Sequence, residues 1–256
     1  MKKSSYLSQL CLVLAFLLFT VFPGFTQDDT RGDLVVVDAE YVSPEYLHDY
    51  VQWGKEFKAL ADKVNFRSFY VSSDDQAFYY VWPIGKDMSG IDKIDADFAD
   101  LIKTNPEVVD MVKKYSHSMT HRTRVVWRHD PGNSYSPEGY DPNFKSTYSR
   151  FYTGYVKFGH SQAIKELMKE FKETWASAGI SHAYQAYWNV MGQEQPCVMY
   201  ITAYKDRQSW VDEQNEVNEK IGMEKLQSLL DRWNSHIRKN VDAEGMERAD
   251  LSHFKN

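Results

Sequence analysis

The residues best suited to chemistry lie on a short alternating run near the start of the chain. In Val35-Val36-Val37-Asp38-Ala39-Glu40-Tyr41, Asp38 and Glu40 share one face of a strand while Val37, Ala39 and Tyr41 take the other. A second run pairs Arg122 and Arg124 on one face against Thr123 and Val125. If the apolar faces meet helices, these four charges point into the space between two sheets. They could then form the polar end of a cavity, or a set of cross-strand ion pairs that fixes register. Aromatic residues at period-two spacing supply candidate walls: Tyr70, Tyr80 and Trp82 early in the chain, then His182, Tyr184, Trp188, Tyr200 and Tyr204. Core packing accounts for most such rings, but a buried Tyr hydroxyl needs a partner, so Tyr together with His182 suits a planar or polar-aromatic ligand.

Other chemistries lack support. His117 and His121 have i, i+4 spacing but straddle a helix end and lack the acidic residue of a zinc-protease helix, so there is no metal motif. His48 reads as solvated and Cys197, in an apolar run, as a buried inert thiol. Neither a nucleophile elbow, a phosphate loop nor dinucleotide-binding glycines occur.

The elements that must position these residues recur. A shift of 114 places Tyr41-Val42 on Tyr155-Val156 and Glu56-Phe57-Lys58 on Glu170-Phe171-Lys172. The same shift lays Tyr50, Trp53, Phe57 and Val64 on Ile164, Leu167, Phe171 and Ala178, an apolar helical stripe kept twice. At a shift of 118, Val108, Met111, Val112 and Tyr115 fall on Leu226, Leu229, Leu230 and Trp233. Strands are expected at 34–42, 66–71, 77–82 and 122–127, and again at 149–158, 181–190 and 198–204; the polar stretch Arg238 to Glu244 is a poor strand. Ser43 before Pro44, and Ser161, are the expected helix caps.

The resulting order is strand, helix, strand, strand, helix, strand, twice over, which predicts an α+β chain of two tandem ferredoxin-like (βαββαβ) repeats packed sheet to sheet. The expected boundaries are a first repeat at 33–128, a Pro- and Gly-containing linker at 129–147, a second repeat at 148–244 and a polar tail at 245–256. Element order and duplication resemble the dimeric α+β-barrel superfamily (antibiotic-biosynthesis monooxygenase, EthD, NIPSNAP and chlorite-dismutase-like families), with both protomers fused as an intramolecular pseudo-dimer. The resemblance implies a small-molecule cavity, with cofactor-independent oxygenase or isomerase chemistry or haem among the options, and no residue role transfers with it. The equivalents of Asp38 and Glu40 are Tyr152 and Gly154, an asymmetry that points to one site per chain.

Residues 1–26 read as a secretory signal: Lys2 and Lys3, an apolar run from Leu10 to Phe22, then small residues before Gln27. That run is short for a membrane span of about 20 residues, so cleavage leaves a periplasmic or extracellular chain with no integral span. Without the signal, 28 basic face 36 acidic residues, and a net charge of −8 with no basic block excludes a nucleic-acid partner. One thiol remains, so no internal disulfide can form, and an aromatic content of 15% must be packed into the core instead. Internal duplication predicts a monomer. Together these features predict an exported small-molecule-binding protein with one cavity; the alternative is a non-catalytic envelope module contacting another protein or a glycan.

Overall fold

The computed structural model describes residues 33–141 and 146–255; the signal reading lies outside these residues. Eight strands close into a barrel in the order β1-β3-β2-β8-β5-β7-β6-β4. They are β1 (Leu34–Val42), β2 (Tyr70–Ser73), β3 (Ala77–Gly85), β4 (Met119–His129), β5 (Tyr148–Val156), β6 (Tyr184–Met191), β7 (Cys197–Tyr204) and β8 (Ile237–Glu247). Each repeat contributes a four-stranded antiparallel sheet, and the sheets join edge to edge through β2 with β8 and β4 with β6. Closure removes every free strand edge. The α-helices among the described residues are α1 (Leu47–Val64), α2 (Ser89–Thr104), α3 (Glu107–Ser116), α4 (Ser161–Ala178), α5 (Arg207–Ile221) and α6 (Met223–His236). Among the described residues, no helix is long and apolar enough to cross a membrane.

The duplication holds element by element. β1 and β5, and α1 and α4, begin 114 residues apart, and β4 and β8 begin 118 apart. Each repeat has one helix more than the expected order, because α2 and α5 precede the anticipated α3 and α6. On α1, Tyr50 and Phe57 are buried and Trp53 half-buried, while Val64 at the helix end is exposed. Ser43 precedes a short 3-10 turn (Pro44–Tyr46) without a side-chain cap bond, and His160 rather than Ser161 occupies the cap position of α4.

Each sheet has two covered faces. Leu34, Val36, Tyr80, Trp82 and Val126 pack beneath the helices of the first repeat, and Val156, Ala186 and Val198 beneath those of the second. The opposite face fills the barrel interior, where Val35, Val37, Val125, Trp127, Tyr155, Tyr187, Cys197 and Met199 meet from both repeats. Burial pushes the Cys197 thiol up to about 12, which keeps it protonated and inert.

Two expectations are corrected. The stretch Arg238 to Glu244 lies within a full strand, because its backbone pairs with β5, and beyond it Met246 and Glu247 pair with β2, while its polar side chains face solvent or partners such as Arg150, bound to Asp242. Residues 248–253 do not trail as a polar tail. They return to the first repeat, where the backbone of His253 bridges Phe69, its ring donates to the Asp62 carboxylate (2.6 Å) and meets the Phe66 carbonyl (3.0 Å), and the Ser252 hydroxyl accepts from the Val71 N–H (2.9 Å). Leu251 is 1% exposed, and its Cδ2 would lie 3.0 Å from a Cβ built on Gly54. Leu251→Ala is therefore expected to cost about 2–5 kcal/mol, read as a lower urea midpoint at unchanged slope.

Candidate functional site: two unequal cavities between sheet and helices

Asp38 and Glu40 share the face of β1 that carries Leu34 and Val36, so they point toward the helices and not into the space between the sheets. Register sets them directly opposite their partners: Asp38 faces Arg124 and Glu40 faces Arg122 on β4, with Tyr80 beside Asp38 on β3. Asp38 is 1% exposed and accepts from Arg122 Nη2 (2.5 Å) and from Arg124 Nε (2.8 Å) and Nη2 (3.1 Å). Arg124 also lies 3.5 Å from Asp95 on α2, and Arg122 Nε lies 3.6 Å from Glu40 Oε1.

Glu40 Oε2 accepts hydrogen bonds from the hydroxyls of Tyr50 (2.5 Å) on α1 and Tyr115 on α3. Burial dominates its protonation equilibrium and, with the neighbouring Asp38 charge, outweighs the Tyr50 hydrogen bond and Arg122, raising the carboxyl to about 7. Tyr50 and Tyr80 are pushed up by burial and by the Glu40 charge, so both remain phenols.

This carboxyl ends a cavity of about 480 Å³ between the first sheet and α1–α3. Trp53, Phe57 and Phe98 form aromatic walls, with Trp53 stacked on Tyr115 at 3.6 Å between ring centroids, and Arg122 and Arg124 stand at the edge. The indole N–H groups of Trp53 and Trp82 have no hydrogen-bond partner although buried. The arrangement joins an apolar enclosure, a proton acceptor poised near neutrality, and unused donors.

A second cavity, of about 320 Å³, occupies the same place in the second repeat, where one site per chain had been expected. Tyr152 and Gly154 stand for Asp38 and Glu40, and Asn240 and Asp242 for Arg122 and Arg124. Trp233 replaces Tyr115, and a Cβ on Gly154 would come within 2.9 Å of its ring, so the indole fills the room that the Glu40 side chain takes in the first repeat. Tyr184, Tyr200 and Glu213 line this cavity.

The residues anticipated from sequence therefore separate. Glu40, Arg122, Arg124, Tyr80 and Trp82 line the first cavity, with Asp38 holding its two arginines. Tyr184 lines the second. Tyr70 pairs with Val81, between Tyr80 and Trp82, and so stands on the opposite sheet face, where it bonds Glu247. His182 does not join Asp38 and Glu40 in one pocket: it lies in the second repeat, 3.6 Å from Glu216 on α5. Sequence reasoning missed Tyr50, Tyr115 and Asp95 as partners of the charged set. Tyr50 and Tyr115 were visible only as members of apolar stripes.

Haem is an option that the fold resemblance raises, and the donors do not fit it. Neither cavity is lined by His or Cys; the first offers the thioethers of Met111 and Met119 with the phenols of Tyr80, held protonated by burial, and Tyr115, engaged by Glu40, and the second phenols such as Tyr184 and Tyr200, likewise held protonated. Haem titrated into the purified protein is expected to show the Soret band of free haem, checked by difference absorbance.

No family profile and no curated protein matches the chain. Among solved structures, it is similar to an anthrone oxidase-like protein at 12% identity, over 86% of this chain and 92% of that one, with a TM-score of 0.56. It is also similar to a protein provisionally classed as a monooxygenase from Lactobacillus acidophilus (9% identity, 88% and 97% covered, TM-score 0.53). A third, with the same provisional class, comes from Fusobacterium nucleatum (13% identity, 88% and 99% covered, TM-score 0.51). With the strand order and duplication above, these likenesses show a tandem dimeric α+β barrel.

Proposed function

We propose that the first cavity binds a flat aromatic compound bearing an acidic C–H or O–H beside a ketone, and that Glu40 removes that proton. The carrying observation is a buried carboxyl raised to about 7 in the lining of an aromatic-walled cavity. A base with that proton affinity is half ionised near neutral pH, the condition in which general-base catalysis is most effective. Tyr50 and Tyr115 orient the carboxylate, leaving Oε1 for the substrate proton, and Arg122 and Arg124 supply positive charge near a developing enolate. The unpaired indole N–H groups of Trp53 and Trp82 suit the carbonyl oxygen of such a substrate.

An electron-rich enolate of this kind reacts with dioxygen without a cofactor, which makes oxygenase chemistry the leading reaction type. Anthrone, after which one structural neighbour is named, is the natural probe. Its conversion would consume one dioxygen per anthrone and give anthraquinone and water. The test is oxygen uptake together with quinone absorbance in purified residues 27–256. The expected result is a rate above buffer that saturates with anthrone; consumption no faster than buffer would reject this substrate class. The apolar N-terminal run supports export, and N-terminal sequencing of protein from its host is expected to begin at Gln27.

A further inference from the structure

The second cavity has no carboxylate at the position of Glu40 but keeps a set of unused donors. The hydroxyls of Tyr184 and Tyr200 are buried without a hydrogen-bond partner, and both side chains line this one cavity beside Trp233, whose indole N–H is directed at the Tyr152 hydroxyl. Tyr184 is only 7% exposed and both hydroxyl oxygens are buried, so bulk water does not serve them. Native proteins rarely leave such groups unpaired, because each costs the free energy of its lost hydration. Two adjacent hydroxyls on one cavity therefore call for an acceptor from outside the chain. Phe171, Trp175, Val217, Leu226 and Leu230 make much of the remaining wall apolar, which suits an organic carbonyl compound that buries its rings there and presents its oxygen to the hydroxyls.

The charges nearby are already matched. Arg150 binds Asp242 and lies 4.5 Å from the centre of the Trp210 ring, and Glu213 accepts from Tyr204. No free cation among these groups awaits an anion, and Gly154 leaves no carboxylate at the position equivalent to Glu40. The Tyr184 and Tyr200 rings meet edge to face at 5.3 Å.

We infer that this cavity is a second, non-catalytic binding site for a neutral aromatic ketone or quinone, whose carbonyl oxygen accepts from Tyr184 and Tyr200. The two repeats thus differ at the position of Glu40: the first cavity carries its carboxyl, whereas the second has Gly154 there and its own carboxyl, Glu213, is engaged by the Tyr204 hydroxyl. This assignment does not rest on the role of Glu40.

Calorimetric titration with 1-acetonaphthone, with 1-ethylnaphthalene of similar shape but no acceptor, and with anionic 1-naphthoate tests it. The ketone is expected to bind about tenfold more tightly than the hydrocarbon, and the anion more weakly than the ketone. In a variant carrying Tyr184→Phe and Tyr200→Phe the tenfold preference should vanish while hydrocarbon binding persists. Leu230→Trp, which narrows this cavity, should remove the preferential binding, and Ile102→Trp in the first cavity should not. The double Phe variant should melt no lower than wild type, since neither hydroxyl has a partner to lose. Equal affinity for ketone and hydrocarbon, no binding of any probe, a preference that survives the double substitution, its loss in Ile102→Trp alone, or a clearly lower melting temperature of the double variant would each overturn the assignment.

Discussion

Glu40→Gln is expected to lower the rate of proton abstraction by about 10²–10⁴-fold, the usual contribution of a positioned general base. The amide keeps the size of the side chain and can still accept from Tyr50 and Tyr115, so the loss would report the missing proton affinity and not a collapsed cavity. In the wild type the carboxyl is raised to about 7, and the active form is the ionised one. The value of kcat/KM should therefore rise with pH, inflect near 7 and level off above it. The Gln variant should show no such inflection, only a low flat rate. An inflection that persists in Glu40→Gln would assign the base to another group.

The same residue predicts a gain in stability. A carboxyl whose folded value lies near 7 against an ordinary 4.5 holds a proton in the folded state that the unfolded chain has already released. Its favourable contribution is complete below pH 4.5 and is lost as pH rises through 7, on the order of 3 kcal/mol in all. Gln carries no charge at any of these pH values. The variant should match wild type near pH 4.5 and exceed it at pH 8, where wild type must keep an ionised carboxylate in a buried site. Urea titrations at the two pH values measure this; a variant less stable at pH 8 would contradict the raised proton affinity.

The architecture was legible because it depends on local patterns. Alternation in β1 and β5 and the stripe Tyr50, Trp53, Phe57 against Ile164, Leu167, Phe171 are properties of neighbouring residues, and duplication confirmed each by the other. The direction in which Asp38 and Glu40 point was not legible. In a barrel wrapped by helices both strand faces are covered, so Val35 and Val37 in the interior and Leu34 and Val36 beneath the helices are equally apolar, and hydrophobicity does not say which face is which. The strand β8 was illegible for the converse reason: its pairing is supplied by neighbours distant in sequence, and its polar side chains carry no apolar signal. Leu251 and His253 are similar, since their packing depends on the first repeat, nearly two hundred residues earlier in the chain.

Asp38→Ala should separate the two meanings that a cross-strand ion pair can have. Asp38 holds both Arg122 and Arg124 while itself 1% exposed, and removing one partner of a buried charge set leaves the others uncompensated. The arginine side chains are 43% and 29% exposed and can turn toward water, so the cost should fall near the lower end of the usual range, about 3 kcal/mol. If the pair serves register alone, that loss of stability is the whole effect. If it belongs to the site, Glu40 responds as well. The nearby Asp38 charge helps to hold its proton on, whereas Arg122 favours ionisation, and Arg122 freed from Asp38 can engage Oε1 more closely than its present 3.6 Å. Both changes lower the proton affinity of Glu40, so the inflection in kcat/KM should move below pH 7 and the maximal rate should fall with the weaker base. Asp38→Asn, which retains the shape and one acceptor oxygen, should shift the inflection in the same direction with a smaller loss of stability. A melting temperature that drops while the inflection stays at pH 7 would return the charged quartet to a purely structural role.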